Sequence, residues 1–286
     1  MKKILLLGSN GFIGRNLENH FSQKSEYSVL APKRAELNLL DDQACFAYLK
    51  SVKPDKIIYS AVNLTSLEDT VRMFFNIFRH KNQYGFLYNL GSGAEYDKLN
   101  YKPLMKEYLF GRSIPVDSYG LGKYIISREI EAAKGNSANF RIFAIYGKHE
   151  DYNRRFISNN ICRVLAGKTI SLNRNIAFDF IHVDDLCRLL DKVLEKNLSY
   201  FNYNLCSSQP VELIELAELL ARKMNVGHAI EPIQDGMGKE YSGDNGLLMS
   251  EIGSDYKFKS FHQGIDELLI WYQNLYKQKL LSLDSM

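Results

Sequence analysis

The chain has 286 residues, 45% hydrophobic and 24% charged, with a formal net charge of +3. That length suits one large domain or a domain with a smaller lobe, and so slight a charge gives no ground for a nucleic-acid or membrane partner, though it would not repel an anionic substrate. Cys45, Cys162, Cys187 and Cys206 form no CxxC pair and read as free thiols of a reducing compartment. The opening run KKILLLG is short, apolar and stopped by a glycine, which marks a buried parallel strand and not a signal peptide; with no run long enough to cross a bilayer, a cytoplasmic protein is expected. FIGRNLENHFSQ has apolar residues at helical spacing, YSVLAP reads as a strand, and DDQACFAYLKSV as a helix with an acidic start. DKIIYSAV is a strand behind the turn-former Pro54, DTVRMFFNIFRH a helix, GFLYNLGSG a strand, SYGLGKYIISREIEAAKG a helix ending at Gly135, and ANFRIFAIYG another strand.

Strand and helix in alternation imply a parallel sheet covered on both faces. After Gly147 the pattern changes: KHEDYNRR is polar and irregular, FISNNICRVLAG is a helix, and FDFIHVDDLCRLLDKVLE turns from strand into a helix that rejoins the sheet. PVELIELAELLARKM and GIDELLIWYQNLYKQ are amphipathic helices, and DGMGKEYSGDNG between them reads as a surface loop. The expected division is a sheet domain of residues 1–147 plus about 177–206, and a lobe of about 148–176 plus 207–286. A ligand would sit between them, at the carboxyl ends of the strands.

Gly8, Gly11 and Gly14 follow the first strand at three-residue intervals and open a helix. Such a turn, with Asn10, Phe12 and Ile13 inside it, presents bare backbone N–H groups at a helix N-terminus, where a dinucleotide pyrophosphate is stabilised. At the end of the second strand an acid would accept from a ribose 2′-hydroxyl and a base would pair with a 2′-phosphate. Lys33 and Arg34 stand there, ahead of Glu36. NADP(H) is therefore the preferred cofactor and NAD(H) the second choice; the bland reading is a solvated basic turn.

Tyr119 and Lys123 lie four residues apart on one helix face, and Ser92 follows a strand end. An ammonium beside a phenol stabilises the phenolate, and Ser92 could bond the same substrate oxygen. Each match alone is unremarkable, but the order is informative: glycine turn, serine, then the Tyr–Lys helix.

With these residues the chain resembles the extended short-chain dehydrogenase/reductases, or NAD-dependent epimerase/dehydratase family, that act on nucleotide sugars. It is similar to GDP-L-fucose synthases and CDP-4-keto-6-deoxyglucose reductases. AELNLLDD resembles the family stretch in which Asn38 and Leu39 would flank the adenine. YSAV resembles the strand end lining the cofactor, at Ser60, Ala61 and Val62, while FRIFAIYG and FDFIHVDDL resemble the R-x-F-N-x-Y-G and R-D-F-I-H-V-D-D elements. The resemblance implies a Rossmann-type α/β fold, a doubly wound parallel sheet with a smaller α/β substrate-binding lobe. It also implies Tyr119 as acid–base, Ser92 on the substrate oxygen, Lys123 on the nicotinamide ribose, and a homodimer built on the Tyr–Lys helix and its neighbour.

Departures sharpen the expectation. Ala94 stands where the bifunctional fucose synthases carry an epimerising cysteine, and Arg155 or Phe156 where they carry its histidine partner. Ala144 and Phe178 replace the Asn and Arg of the two strand motifs. Without those two groups the carbon beside the ketone should not be deprotonated, which favours simple ketoreduction.

The expected activity is NADPH-dependent reduction of a nucleotide-linked 4-keto-6-deoxy sugar, a late step of deoxysugar supply for surface polysaccharide. A 4-epimerase and a non-catalytic NADP(H) sensor are the alternatives. Arg154, Arg155 and Arg163 are candidates for the substrate diphosphate or else a solvated basic face. His182 reads as a capping or packing residue, Asp184 and Asp185 as helix cap and first-turn acid, and Trp271–Tyr272 as core; no metal site is expected.

Overall fold

Lys2–Leu7 form β1 of the computed structural model, which describes residues 1–227, 230 and 232–283. Ile4 to Leu7 are at most 1% exposed, as a central parallel strand requires. The elements follow in the expected alternation: α1 (Phe12–Ser22), β2 (Tyr27–Leu30), α2 (Asp42–Val52), β3 (Lys56–Tyr59), α3 (Leu67–Phe78), β4 (Phe86–Ser92), α4 (Ser118–Ala133) and β5 (Ser137–Ile142). Then come β6 (Ala144–Tyr146), α5 (Phe156–Leu165), β7 (Arg174–Asn175), β8 (Ala177–Phe178), β9 (Phe180–His182), α6 (Val183–Leu194) and β10 (Asn202–Leu205). The chain closes with β11 (Val211–Glu212), α7 (Leu213–Met224), β12 (Gln234–Met237), α8 (Gly246–Ile252) and α9 (Phe261–Lys277).

Six parallel strands run in the order β10-β5-β4-β3-β1-β2, a doubly wound Rossmann-type sheet. The strand order reverses at β1, so its carboxyl end and that of β3 bound the crevice where such sheets bind ligands. Leu17 and Phe21 of α1 pack with Leu186, Leu189, Leu190 and Val193 of α6 on one face of the sheet, where Leu248 and Ile252 of α8 join them. Phe74, Ile77 and Phe78 of α3 and Ile126 and Ile130 of α4 cover the other face. Each such buried Leu, Ile or Phe contributes about 2 kcal/mol. The expected lobe has its own core, in which Ile157 and Ile161 of α5, Leu216 and Leu220 of α7 and Ile265 and Leu268 of α9 pack together. Its expected last residues, 284–286, lie outside the described residues. Tyr272 is core as expected, 1% exposed, while Trp271 packs edge-on against His149. All four cysteines are free and buried.

Two details differ from expectation. His182, not an aspartate, caps α6: its Nδ1 accepts from Asp184 N at 3.2 Å, with Asp184 and Asp185 both in the first turn. Residues 235–246 are no free surface loop. Asp179 N donates to Tyr241 O at 3.0 Å and Tyr241 N to Ala177 O at 2.9 Å, so the segment is strapped across the strand ends, with Ser242 fully buried. Glycines and charges usually signal solvent, but here the backbone finds partners on β8 and its flank.

Candidate active site

Gly8 sits at φ +94°, a conformation open to glycine, and a Cβ there would lie 2.6 Å from Ala61 N. A Cβ on Gly14 would lie 2.1 Å from Gly8 O. Those two glycines are demanded by packing between turn, helix and β3. Gly11 is different: a Cβ there would meet only Gly8 O at 3.5 Å, an ordinary contact. Gly11 is the N-cap of α1 and makes no side-chain cap, so the first N–H groups of the helix are left for an outside acceptor. A turn kept bare where the fold itself does not require it fits a dinucleotide pyrophosphate.

This turn borders a cleft of about 560 Å³ lined also by Arg34, Asn38, Leu39, Ser60, Ala61 and Val62, all expected there. Asn10 shares this cleft, while Phe12 and Ile13 line its continuation. The basic pair divides. Lys33 turns inward, its Nζ donating to Glu18 Oε2 at 2.9 Å and Ser9 Oγ at 3.1 Å, and it does not line the cleft. Glu36 is turned back to Lys33 N at 2.6 Å, which leaves Arg34 as the exposed charge of this stretch that faces the cleft.

Past Ser60 and Val62 the cleft opens into a second chamber of about 680 Å³ holding Ser92, Ala94, Tyr119 and Lys123. Ser92 ends β4 and caps the turn after it. Its Oγ accepts from Ala94 N at 3.1 Å, and its own N–H donates to Glu95 Oε1 at 2.8 Å. Glu95 is fully buried. Its other oxygen accepts from Arg141 Nε at 2.6 Å and from Asn139 Nδ2 at 2.8 Å. The buried pair thus anchors the serine turn from below. Asp117 caps α4 by accepting from Gly120 N at 2.9 Å, and a Cβ on Gly120 would lie 2.6 Å from Ala94 O. Glycine at that point lets the helix start press on the serine turn, and this is what brings Tyr119 to Ser92.

The electrostatics correct one expectation. Lys123 is 3% exposed, and its ammonium donates to Leu90 O at 2.8 Å. Burial lowers its pKa from 10.5 to about 8, against the pull of Glu95. The Tyr119 phenol is held above its ordinary value, chiefly by burial; a hydrogen bond with Ser92 and the charge of Arg155 oppose this, while Glu95 and Asp117 add to it. Tyr119 keeps 37% of its surface exposed towards the chamber, which weakens the effect of burial, and Lys123 is not among the groups that shift it.

Opposite the serine stand Arg154, Arg155, Phe156, Phe178 and Phe180. Arg163 is not with them, since its Nε donates to Thr169 O at 3.0 Å on the outer side of α5. Two groups went unread in the sequence. Tyr241 of the strap lines the chamber, its hydroxyl close enough to the turn after Ser92 that a Cβ on Gly93 would lie 2.7 Å from it. Glu150 lines it too, 5% exposed, accepting from Ser158 Oγ at 2.6 Å, with its carboxyl pushed up by burial from 4.5 to about 7. Away from the cleft, His182, Asp184 and Glu267 come close enough to hold a metal, but the Lys259 ammonium lies 2.6 Å from Asp184 and 2.7 Å from Glu267 and already supplies the cation.

Comparison with known proteins agrees with this geometry. A GDP-6-deoxy-D-talose 4-dehydrogenase of Aggregatibacter actinomycetemcomitans is 25% identical over 307 residues, spanning 98% of this chain and 99% of that protein. Among solved structures, a UDP-glucose 4-epimerase of Thermotoga maritima aligns with a TM-score of 0.83 at 17% identity, over 96% of this chain and 99% of that one. A GDP-mannoheptose C4 reductase of Campylobacter jejuni with NADP bound aligns with a TM-score of 0.77 at 19% identity, over 95% of this chain and 98% of that one. The model of the NAD dependent epimerase/dehydratase family matches residues 4–206, and the chain belongs to that family.

Proposed function

We propose that the protein reduces the C4 ketone of a nucleotide-linked 4-keto-6-deoxy sugar with NADPH, as a late step in supplying a deoxysugar for surface polysaccharide. The observation that carries this reading is the gathering of Ser92, Tyr119 and Lys123 in one chamber continuous with the glycine-turn cleft, where a phenol that carries its ordinary proton can donate to a ketone taking up hydride. Oxidation or epimerisation would ask the same residue to start as a base. Ala94 puts no acid–base side chain on the serine turn itself, which favours reduction over epimerisation.

The bound dinucleotide would supply the hydride. Gly8, Gly11 and Gly14 would admit its pyrophosphate, Asn38 and Leu39 would flank the adenine, and Arg34, poised to pair with a 2′-phosphate, favours NADP(H) over NAD(H). Ser92 would hold the C4 oxygen and Tyr119 would protonate it. Arg154 and Arg155 would meet the diphosphate of the sugar nucleotide at the mouth between sheet and lobe. The name of the Aggregatibacter relative points to C4 oxidoreduction on a GDP-linked 6-deoxy sugar.

The test is a panel of 4-keto-6-deoxy sugars on GDP, CDP, dTDP and UDP, run with NADPH and NADH and followed at the nicotinamide absorbance. The expected result is stoichiometric consumption of NADPH with one nucleotide, GDP first among them. Sugar turnover with no net redox change would replace the reading by the epimerase, and binding of NADPH with no turnover of any panel member would replace it by a sensor.

A further inference from the structure

Ketone reduction at Ser92 and Tyr119 leaves one polar group of the chamber without a task. Among the described residues Glu150 carries the one carboxyl that lines it. The residue is buried, and its Oε2 accepts from Ser158 Oγ at 2.6 Å. Ser158 is fully buried in the first turn of α5, so this bond fixes the carboxyl from behind. Among the described residues no other side chain bonds Glu150 and no ion pair reaches it; Arg154, close by in the chain, turns to Asp151 at 3.9 Å. Burial raises the carboxyl from 4.5 to about 7, against the Ser158 bond and the charge of Arg155. An acid so placed weakens the fold whenever it is charged, and the fold pairs no cation with it.

The surroundings indicate what would offset that weakness. Glu150 shares the lobe side of the chamber with Arg154, Arg155, Phe156, Phe178 and Phe180, opposite Ser92, and it does not line the glycine-turn cleft. Phenylalanine rings offer a sugar no acceptor, and guanidinium groups only donate. An ionised carboxylate only accepts, and after Ser158 has taken one place on Oε2 it has others left. A 4-keto-6-deoxyhexose linked through C1 brings ring hydroxyls at C2 and C3, whose protons need acceptors once water has left. A few polar groups set among apolar side chains are what fixes the orientation of such a ligand.

We propose that Glu150 selects the sugar by accepting a hydrogen bond from its C2 or C3 hydroxyl, while Ser92 and Tyr119 take the C4 oxygen. The proposal rests on the chamber being a sugar-nucleotide site, as the ketoreductase reading has it. Glu150 moves no proton in the reaction. It holds the ring through a charged acceptor on the lobe side, so a sugar that lacks the hydroxyl leaves a buried carboxyl unpaired and is rejected.

Glu150→Leu has similar volume and offers no acceptor; Glu150→Gln keeps the Ser158 bond and a neutral acceptor. Melting temperatures identify which of them fold as the parent does, and Glu150→Gln suffices where Glu150→Leu does not fold. The ligands are the reduced 6-deoxy sugars on GDP, CDP, dTDP and UDP, titrated calorimetrically against NADP-loaded protein. For the sugar nucleotide that the parent binds best, affinity is expected to fall at least about tenfold in Glu150→Leu and about threefold or more in Glu150→Gln, while the bare nucleoside diphosphate and NADPH bind within about twofold of the parent. With the 4-keto form KM should rise by the same factor and kcat change less. Of the analogues lacking the C2 or the C3 hydroxyl, one should bind parent and variants alike. Unchanged affinity for the sugar nucleotide overturns the proposal. So does an equal loss with the bare nucleoside diphosphate or NADPH, and so does a loss that both deoxy analogues retain in full. A parent that binds these sugars but reduces no 4-keto form sinks the ketoreductase reading alone, and the titrations still decide on Glu150. A parent that binds none of them overturns both.

Discussion

Lys123→Met separates what the site needs from what the fold needs. The Lys123 ammonium is 3% exposed, and its direct hydrogen-bond partner is the Leu90 carbonyl at 2.8 Å. The nearby carboxylate, Glu95, is already engaged by Ser92 N, Arg141 and Asn139. Burial takes the lysine from 10.5 to about 8, so keeping it charged in the folded protein at neutral pH costs about 3 kcal/mol. The sign follows from linkage. The folded state holds this proton less tightly than the unfolded chain does, so the cost is full below about pH 8 and disappears as pH rises from about 8 to 10.5. Methionine has similar length and no charge. It removes the cost and forfeits one charged hydrogen bond of about 1.5–2 kcal/mol, for a net gain of about 1 kcal/mol at pH 7. In a chain of this size that raises Tm by about 2 °C, while turnover is expected to fall at least about a hundredfold through loss of the proposed Lys123 contact with the nicotinamide ribose. The assay is thermal unfolding of both proteins between pH 6.5 and 10. The difference in Tm should be positive at neutral pH and vanish or reverse by pH 10. A variant less stable than the parent at pH 7, or a difference independent of pH, refutes the reasoning.

Gly11→Ala should melt within about 1 °C of the parent yet bind NADPH at least about tenfold more weakly in a fluorescence titration, because its Cβ meets only Gly8 O at 3.5 Å and otherwise occupies the phosphate approach. Gly14→Ala, whose Cβ would sit 2.1 Å from Gly8 O, should instead lose about 3 kcal/mol or more of stability in denaturant unfolding. Glu150 has its folded pKa raised from 4.5 to about 7, so the stability it contributes is complete below about pH 4.5 and is lost as pH rises through about 7. Glu150→Gln retains an acceptor for Ser158 and should stabilise by about 2–3 kcal/mol at pH 8 but little at pH 5, as read by urea unfolding at the two pH values.

The sheet was legible because its strands β1, β3 and β4 are largely apolar runs bounded by turn residues, and the glycine turn because its spacing needs no context to be seen. Ser92, Tyr119 and Lys123 were legible as types in order, but how Lys123 acts was not: an i, i+4 spacing puts two side chains on one face without saying where an ammonium turns. The carbonyl at the end of β4 captured it. The same limit divided Lys33 from Arg34. Adjacent residues project differently, and Glu18, fifteen residues upstream, decides which one is neutralised.

What escaped the sequence has one physical cause. Strand β10 reads NYNL, the polar–apolar alternation of a half-buried strand, yet all four residues are buried, because Asn202 and Asn204 face polar partners inside the protein. Asn202 Oδ1 accepts from Ser127 Oγ at 2.7 Å and Arg141 Nη2 at 2.9 Å, and Asn204 Nδ2 donates to Met105 O at 2.7 Å. Glu95 and Arg141, both fully buried, belong to the same network. Residue-type statistics place Glu, Arg and Asn outside, and they fail where each such group is the reason its neighbour can be inside. Here that interior polarity lies directly beneath Ser92, and it has a use that an apolar core would lack. Glu95 fixes the Ser92 N–H, Arg141 fixes Glu95, and Phe110 closes over the guanidinium at 4.0 Å, so the serine turn is held by directional bonds from below while its hydroxyl, which accepts from Ala94 N, lines the chamber. Removing Arg141 alone would strand a buried carboxylate and is expected to be far more damaging than its distance from the substrate suggests. The segments least readable in the sequence, β10 and the strap with Tyr241, are therefore the ones that support and complete the serine.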